Sequence, residues 1–287
     1  MHVEGSGGSE PGGGALACAG REELLAELAG VPFWWHSIDL GDGIVTNGLR
    51  NGEDLALELE ELQLPDLRGR TVLDIGAWDG YFSFEAERRG ATRVVALDHF
   101  VWAWDHEGAR QERAGSAEPV RTTAGRRLAQ DESPACWDPV GLPGKRPFDL
   151  AHRTRRSRVH ALVADFMDFD LEPLGSFDVA LFLGVLYHMR DPLESLRRLA
   201  TLTAGTAVIE TEARVFAGSP EVPMCEFLAG YRLYDDPTNW WAPNEAALRL
   251  MLLEAGFASV EVLTRAPDTP ASEPVGYRAI VHAHKHG

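Results

Sequence analysis

The sequence predicts an α/β fold: a doubly wound, mostly parallel sheet of seven strands with helices on both faces, preceded by a helical N-terminal cap. Three observations carry this. Short apolar runs rich in Val, Leu, Ile and Ala alternate along the chain with stretches whose apolar residues repeat at helical spacing. A glycine-rich turn joins the first such run to the first such helix, and a second run follows to complete a βαβ unit. The 287 residues are 45% hydrophobic and 25% charged, which excludes collagen-like, coiled-coil and largely disordered classes.

In order, residues 1–20 contain Gly-Ser-Gly-Gly and Gly-Gly-Gly, bury too little apolar surface to offset their ordering entropy, and read as a disordered tail. Residues 21–69 read as the cap. Leu24, Leu25 and Leu28 mark a helix over 22–28, Pro32 leads into Phe33-Trp34-Trp35-His36, and a second helix over 53–62 stops before Pro65. Residues 70–287 read as the sheet domain. Its strands are expected at 71–75, 93–98, 159–163, 177–183, 206–210, 259–263 and 277–284, and its helices at 81–89, 192–200 and 244–255, the last with Asn244 as N-cap. From 99 to 158, nearly sixty residues join two strands that a minimal fold joins with about twenty. Trp102, Trp104 and Trp137 make this insertion read as a partly ordered lid.

Charge and cysteine usage narrow the partners. With 27 Lys+Arg against 44 Asp+Glu the net charge is −17, which disfavours nucleic acid and favours a small-molecule partner. Cys18, Cys136 and Cys225 lack metal-site or disulfide spacing and read as free thiols. No secretory leader and no run of about 18 apolar residues occurs, so a cytoplasmic protein without a membrane segment is expected, a monomer or homodimer.

The chemistry centres on Asp74-Ile75-Gly76-Ala77-Trp78-Asp79-Gly80, which ends a strand and opens a helix. Small residues there let a ligand approach backbone N–H groups, and Asp98, at the tip of the next strand, stands where a carboxylate accepts the hydroxyls of an adenosine ribose. Trp78 occupies the middle position of the loop, where an indole would crowd a pyrophosphate, and no Gly-Lys-Ser/Thr follows for a triphosphate. A nucleoside with an amino-acid end fits instead, and S-adenosylmethionine is that ligand.

Together with Asp165-Phe166, and with Phe182-Leu183-Gly184-Val185-Leu186-Tyr187-His188 followed by Asp191-Pro192-Leu193, the loop resembles the class I S-adenosylmethionine-dependent methyltransferases, which have a Rossmann-like sheet. More narrowly it is similar to the branch of the bacterial tRNA wobble-uridine carboxymethyltransferase and its small-molecule methyltransferase relatives. The resemblance covers roughly 33–287 without much of the insertion. It implies that Asp74, Gly76, Ala77, Trp78 and Gly80 hold the methionine end, with Asp98 and His99 at the ribose. Asp165 would accept from the adenine amino group and Phe166 would pack on its ring, with a core aromatic as the alternative. Leu183 and Gly184 would pass beneath the cofactor, and S-adenosylhomocysteine would be the product.

Tyr187 and His188 would face the transferring group, with His188 as the first candidate base and His36 as the second. Trp35, Tyr231, Asn239 and Trp240 are assigned with Tyr187 to the acceptor pocket. Glu210 and Glu212 alternate at a strand end near His188; surface carboxylates explain them better than a divalent-metal cluster, so no metal is expected. The carboxymethyl relative anchors its extra carboxylate with basic residues, including one ahead of the glycine-rich loop, where this chain has Trp35-His36-Ser37-Ile38-Asp39. Methyl transfer to a small molecule, most of all O-methylation of a glycoside or other secondary metabolite, is therefore expected. A tRNA-modifying enzyme, with Arg153-Thr154-Arg155-Arg156 touching phosphate, and a non-catalytic S-adenosylmethionine-binding regulator are the alternatives.

Overall fold

The computed structural model describes residues 18–106, 108, 136–218, 220–228, 230, 232–234, 236, 238–270 and 272–286. The expected tail up to residue 17 and much of the expected lid (107 and 109–135) lie outside the described residues. Seven strands form one sheet: β1 (Thr71–Ile75), β2 (Arg93–Asp98), β3 (His160–Val163), β4 (Phe177–Leu183), β5 (Thr203–Val215), β6 (Ser259–Val262) and β7 (Val275–His284). Their spatial order is β6-β7-β5-β4-β1-β2-β3. Neighbours from β5 to β3 pair in parallel, and β7 runs antiparallel to both β5 and β6. The order reverses between β1 and β4, and ligands of open α/β sheets bind in the crevice beyond the strand ends at such a reversal.

The continuous apolar runs follow from burial on both faces. Val72, Val94, Ala96, Val179, Leu181, Val208 and Ile280 share one core with Phe84 and Ala86 of α3 (Tyr81–Arg88), Phe148 and Leu150 of α4 (Arg146–Arg155), and Trp34, Ile38 and Leu62 from the N-terminal segment. The intervening Leu73, Ile75, Val95, Leu97, Ala180, Phe182, Ile209 and Val281 pack on the other side against Leu196 and Leu199 of α5 (Pro192–Leu202) and Leu248 and Leu252 of α6 (Glu245–Glu254). Strand residues alternate between the two cores because successive side chains point to opposite faces.

Before the sheet, α1 (Cys18–Ala29) and α2 (Gly52–Leu62) flank a short hairpin that pairs Asp39–Gly41 with Ile44–Val45. Asn51 caps α2: its side chain accepts from Glu53 N and Asp54 N, while Asp54 Oδ2 accepts from Asn51 N. The end of α2 is tied to β7, 220 residues away, by His282 Nε2, which donates to the Leu62 carbonyl at 2.9 Å. Asn244 caps α6 as expected, accepting from Ala247 N at 2.9 Å.

Two elements differ from the sequence expectation. The connection after β2 contains α4, the regular crossover helix of the β2–β3 unit. Its Pro147 looks like a breaker, yet proline is tolerated in a first helical turn. Strand β5 runs five residues beyond Glu210, through Thr211-Glu212-Ala213-Arg214-Val215, with every residue from 211 to 215 buried. Charged residues concealed that strand; it forms because each of them meets an opposite charge, as described below. Among the described residues, no helix is long and apolar enough to cross a membrane.

Candidate active site

The loop after β1 and the turn after β4 meet at the sheet reversal. Gly76 has φ +78° and faces Val185 so closely that a Cβ would lie 2.6 Å from Val185 Cγ2. Gly80, at φ +88°, starts α3 against Phe84 and Phe148. Between them Trp78 takes φ +48°, a left-handed conformation that strains a bulky residue by about 1–3 kcal/mol. Three contacts hold it there. Its N–H donates to Asp98 Oδ2 (2.9 Å), its carbonyl accepts from Trp102 Nε1 (2.6 Å), and its ring stacks on Trp35 at 4.6 Å and 14°. His106 lies parallel to the indole at 5.8 Å, and a cavity of about 390 Å³ opens nearby, lined in part by Phe33, His106, Gly144 and Arg146.

Two buried carboxylates stand under this loop. Asp74 accepts from Ser83 Oγ at 2.6 Å, and Asp98 accepts from Trp78 N and from Val101 N at 3.1 Å. Burial nevertheless pushes each carboxyl up to about 6, against the pull of those hydrogen bonds. Both are acceptors, the chemistry that fits a ligand bearing hydroxyl and ammonium groups.

The β4 turn brings the second set. Gly184, at φ +71°, has Arg278 Nη2 and Tyr187 Oη within 3.7 Å of where its Cβ would stand. Tyr187 lies 4.3 Å from the His188 ring and 4.7 Å beneath the Arg278 guanidinium. His188 Nδ1 approaches Thr238 Oγ1 (2.9 Å) and the Thr238 carbonyl (3.2 Å), and burial holds its imidazole below the usual range. Glu210 and Glu212 are not surface carboxylates: both are buried. Arg278 forms a bidentate pair with Glu210 and reaches Glu212 at 3.7 Å, while Arg214 bridges Glu212 and Glu226. No cluster of three or more metal-ligating side chains occurs among the described residues.

His36, the second candidate base, is also placed by a carboxylate. Asp79, fully buried, accepts from His36 Nδ1 (2.6 Å), His36 N (2.8 Å) and Trp35 N (3.0 Å), which ties the segment after α1 to the glycine-rich loop. The His36 ring is enclosed, stacked on Tyr81 and edge-on to Phe82.

The remaining predicted residues are placed as follows. Asp165 is exposed and accepts from Met167 N, whereas Phe166 is buried in the core against Phe182 at 5.6 Å. Ala77 is buried and Leu183 half-buried, and the His99 ring turns edge-on to Trp137 at 5.4 Å. Asn239 is buried and donates to the Leu233 and Asp236 carbonyls, so it braces a turn rather than facing an acceptor. Trp240 is half-buried, with the Arg190 guanidinium over its ring, and with Phe227 and Trp241 it forms an aromatic wall. Tyr231 lies outside the described residues.

Sequence reasoning missed Asp79, Arg278 and Glu58. Arg278 interrupts an apolar strand at a core position, a signal that a buried partner must exist. Glu58 points from α2 toward this site, paired with Arg50 at 2.9 Å; burial raises its carboxyl despite that pair, and Glu210 adds to the effect.

Paired glycines and two buried acids meet at the reversal of a doubly wound sheet, a crevice whose chemistry fits a nucleoside ligand. Residues 49–262 match the family profile of a methyltransferase domain, and the chain belongs to that family. Similar curated proteins include the tRNA U34 carboxymethyltransferases of Shewanella sediminis (26% identical over 260 residues, 87% of this chain and 62% of that protein) and Shewanella woodyi (28% over 200 residues, 69% and 46%). The chain thus spans about half to three-fifths of their length. Among solved structures, the N-terminal domain of EvdMO1 with SAH bound shares the fold at a TM-score of 0.58, with 18% identity over 92% of this chain and 96% of that one. The same domain in the presence of SAH and D-fucose gives a TM-score of 0.57 at 17% identity, with the same coverage.

Proposed function

We propose that the chain methylates a hydroxyl of a small neutral acceptor, a glycoside or similar secondary metabolite, with His188 as the general base. The carrying observation is the state of the cations at the mouth: Arg278 is held by Glu210, Arg50 by Glu58, and Arg214 by Glu212 and Glu226. A transferred carboxymethyl group or a phosphate backbone would need guanidinium groups open to receive it. In the Arg153-Thr154-Arg155-Arg156 stretch, Arg153 pairs with Glu27 and Arg155 donates to the Asp39 carbonyl. The wall of Phe227, Trp240 and Trp241 favours an uncharged ring as acceptor, in keeping with the structural neighbour studied with D-fucose.

In this reading Asp74 and the 76–80 loop hold the methionine end of the cofactor, Asp98 the ribose and Asp165 the adenine, with Leu183 and Gly184 beneath. When bound, S-adenosylmethionine supplies an electrophilic methyl group on a sulfonium that leaves as a neutral thioether. Tyr187 and the aromatic wall orient the acceptor and exclude water. His188, its imidazole held below the usual range by desolvation, takes the proton of the acceptor hydroxyl. His36 is too enclosed by Tyr81 and Phe82 for that task.

The names of the curated relatives favour a second reading, carboxymethyl transfer to tRNA. The two separate in one experiment: radiolabelled S-adenosylmethionine with D-fucose and a glycoside panel, beside carboxy-S-adenosylmethionine with U34-containing tRNA. A methylated sugar is expected, with no RNA product. Labelled tRNA, formed with a rate that falls steeply as salt rises, overturns the first reading.

A further inference from the structure

We infer that Asp236 and Thr238 are positioning residues that fix His188 in the tautomer whose Nε2 carries the free lone pair. As a statement about catalysis this rests on His188 being the base, as proposed above; as a statement about the tautomer it stands alone.

The inference follows from counting hydrogens. Thr238 Oγ1 has one proton. Asp236 Oδ1 lies 2.6 Å from that oxygen and also accepts the Thr238 N–H at 2.8 Å. A carboxylate only accepts, so the hydroxyl proton points to Asp236. Thr238 Oγ1 therefore meets His188 Nδ1, at 2.9 Å, with a lone pair. The other neighbour of Nδ1, the Thr238 carbonyl at 3.2 Å, is an acceptor too. Among the described residues Nδ1 has two acceptors and no donor, so it carries the proton, and in the neutral ring Nε2 is left bare. The geometry is braced from behind: Asn239 Nδ2 donates to the Asp236 carbonyl at 3.2 Å and to that of Leu233 at 2.9 Å, and Trp240 N donates to the Tyr187 carbonyl at 2.8 Å.

The same relay sets the charge balance of the ring. The groups facing His188 are Tyr187 on its own turn, Arg278 from β7 with Glu210 of β5 paired to it, and Asp236 from the opposing turn. Asp236 favours the imidazolium, while Arg278 and burial oppose it. As an acceptor hydroxyl takes the methyl group, its proton passes to Nε2, and the positive charge moves onto the ring; Thr238 relays the Asp236 charge that stabilises it.

The test is nitrogen NMR of histidine-labelled full-length chain with S-adenosylhomocysteine bound, the His188 signals being assigned by their loss in His188→Ala. Wild type should show Nδ1 protonated and Nε2 bare. Asp236→Ala frees the Thr238 hydroxyl to donate to Nδ1, so Nε2 should become the protonated nitrogen in a large share of molecules, and the ring should titrate at lower pH. Thr238→Ser should restore the wild-type spectrum. Nε2 protonated in wild type, or an Asp236→Ala spectrum identical to wild type, overturns the assignment. With D-fucose as the acceptor probe, kcat should fall about 10- to 100-fold in Asp236→Ala, its acid limb should shift to lower pH, and the KM for S-adenosylmethionine should stay within about twofold. Full turnover in His188→Ala would refute the base reading. Loss in His188→Ala beside an unchanged Asp236→Ala would refute only the positioning role. Retained binding of S-adenosylhomocysteine certifies that each variant is folded.

Discussion

Asp98 lets the cost of building the cofactor site be measured apart from catalysis. Its carboxyl is pushed up to about 6 by burial in the folded chain, whereas an unfolded aspartate titrates near 3.9. The sign follows from linkage. The folded state holds the proton more tightly, so Asp98 favours folding below about pH 4, and that contribution is lost as pH rises through about 6. The span of roughly two pKa units at 1.36 kcal/mol each amounts to about 2–3 kcal/mol. Asn at this position has no titration, so the stability of Asp98→Asn relative to wild type should rise by about 2 kcal/mol between pH 4.5 and 6.5, whatever its absolute value. Urea denaturation of cofactor-free protein at four or five pH values reads this difference directly. Curves for the two proteins that stay parallel across the window would show that the carboxylate is not strained and refute the reasoning. If ribose hydroxyls relieve the strain, as proposed, S-adenosylhomocysteine should bind up to tenfold more weakly per pH unit below about 6, which calorimetry would detect.

Three further outcomes are expected. Arg278→Met leaves Glu210 and Glu212 buried with less compensation; because the arginine is itself 35% exposed, a loss of about 2–4 kcal/mol is expected, and unchanged urea stability would argue against the pairing. Gly76→Ala meets both a positive φ and Val185, so it should cost about 2–4 kcal/mol in urea and abolish S-adenosylhomocysteine binding by calorimetry. Asp79→Asn replaces one of the two oxygens that together accept three N–H groups by a donor, with an expected loss of about 1–3 kcal/mol and weaker cofactor binding as the Trp35–His36 segment releases the loop; wild-type affinity would show that this tie is irrelevant to the cofactor.

Most of the sheet was legible in the sequence because its strands are buried on both faces and read as apolar runs, as Val72-Leu73 and Ala180-Leu181-Phe182 do. The loop at Gly76 and Gly80 and the Tyr187-His188 turn were legible because backbone conformation restricts residue choice there. What stayed hidden depends on partners distant in sequence. Glu212 and Arg214 look like surface charges until Arg278 and Glu226 are placed beside them, and a tryptophan in a tight loop looks disruptive until Trp35 and Trp102 are seen to hold it. The helix at 146–155 was lost in a polar insertion because its few apolar residues include a proline that begins it.

The hydrogen bond from His282 to the Leu62 carbonyl spans 220 residues, and this has a consequence for biogenesis. At about 5–20 residues per second, a ribosome needs roughly 10–45 seconds after making α2 to deliver the strand that locks it. Over that interval the end of α2 lacks its tie to the sheet, and Glu210 awaits the Arg278 guanidinium that pairs with it. Closure of the site therefore waits for β7, which supplies both His282 and Arg278.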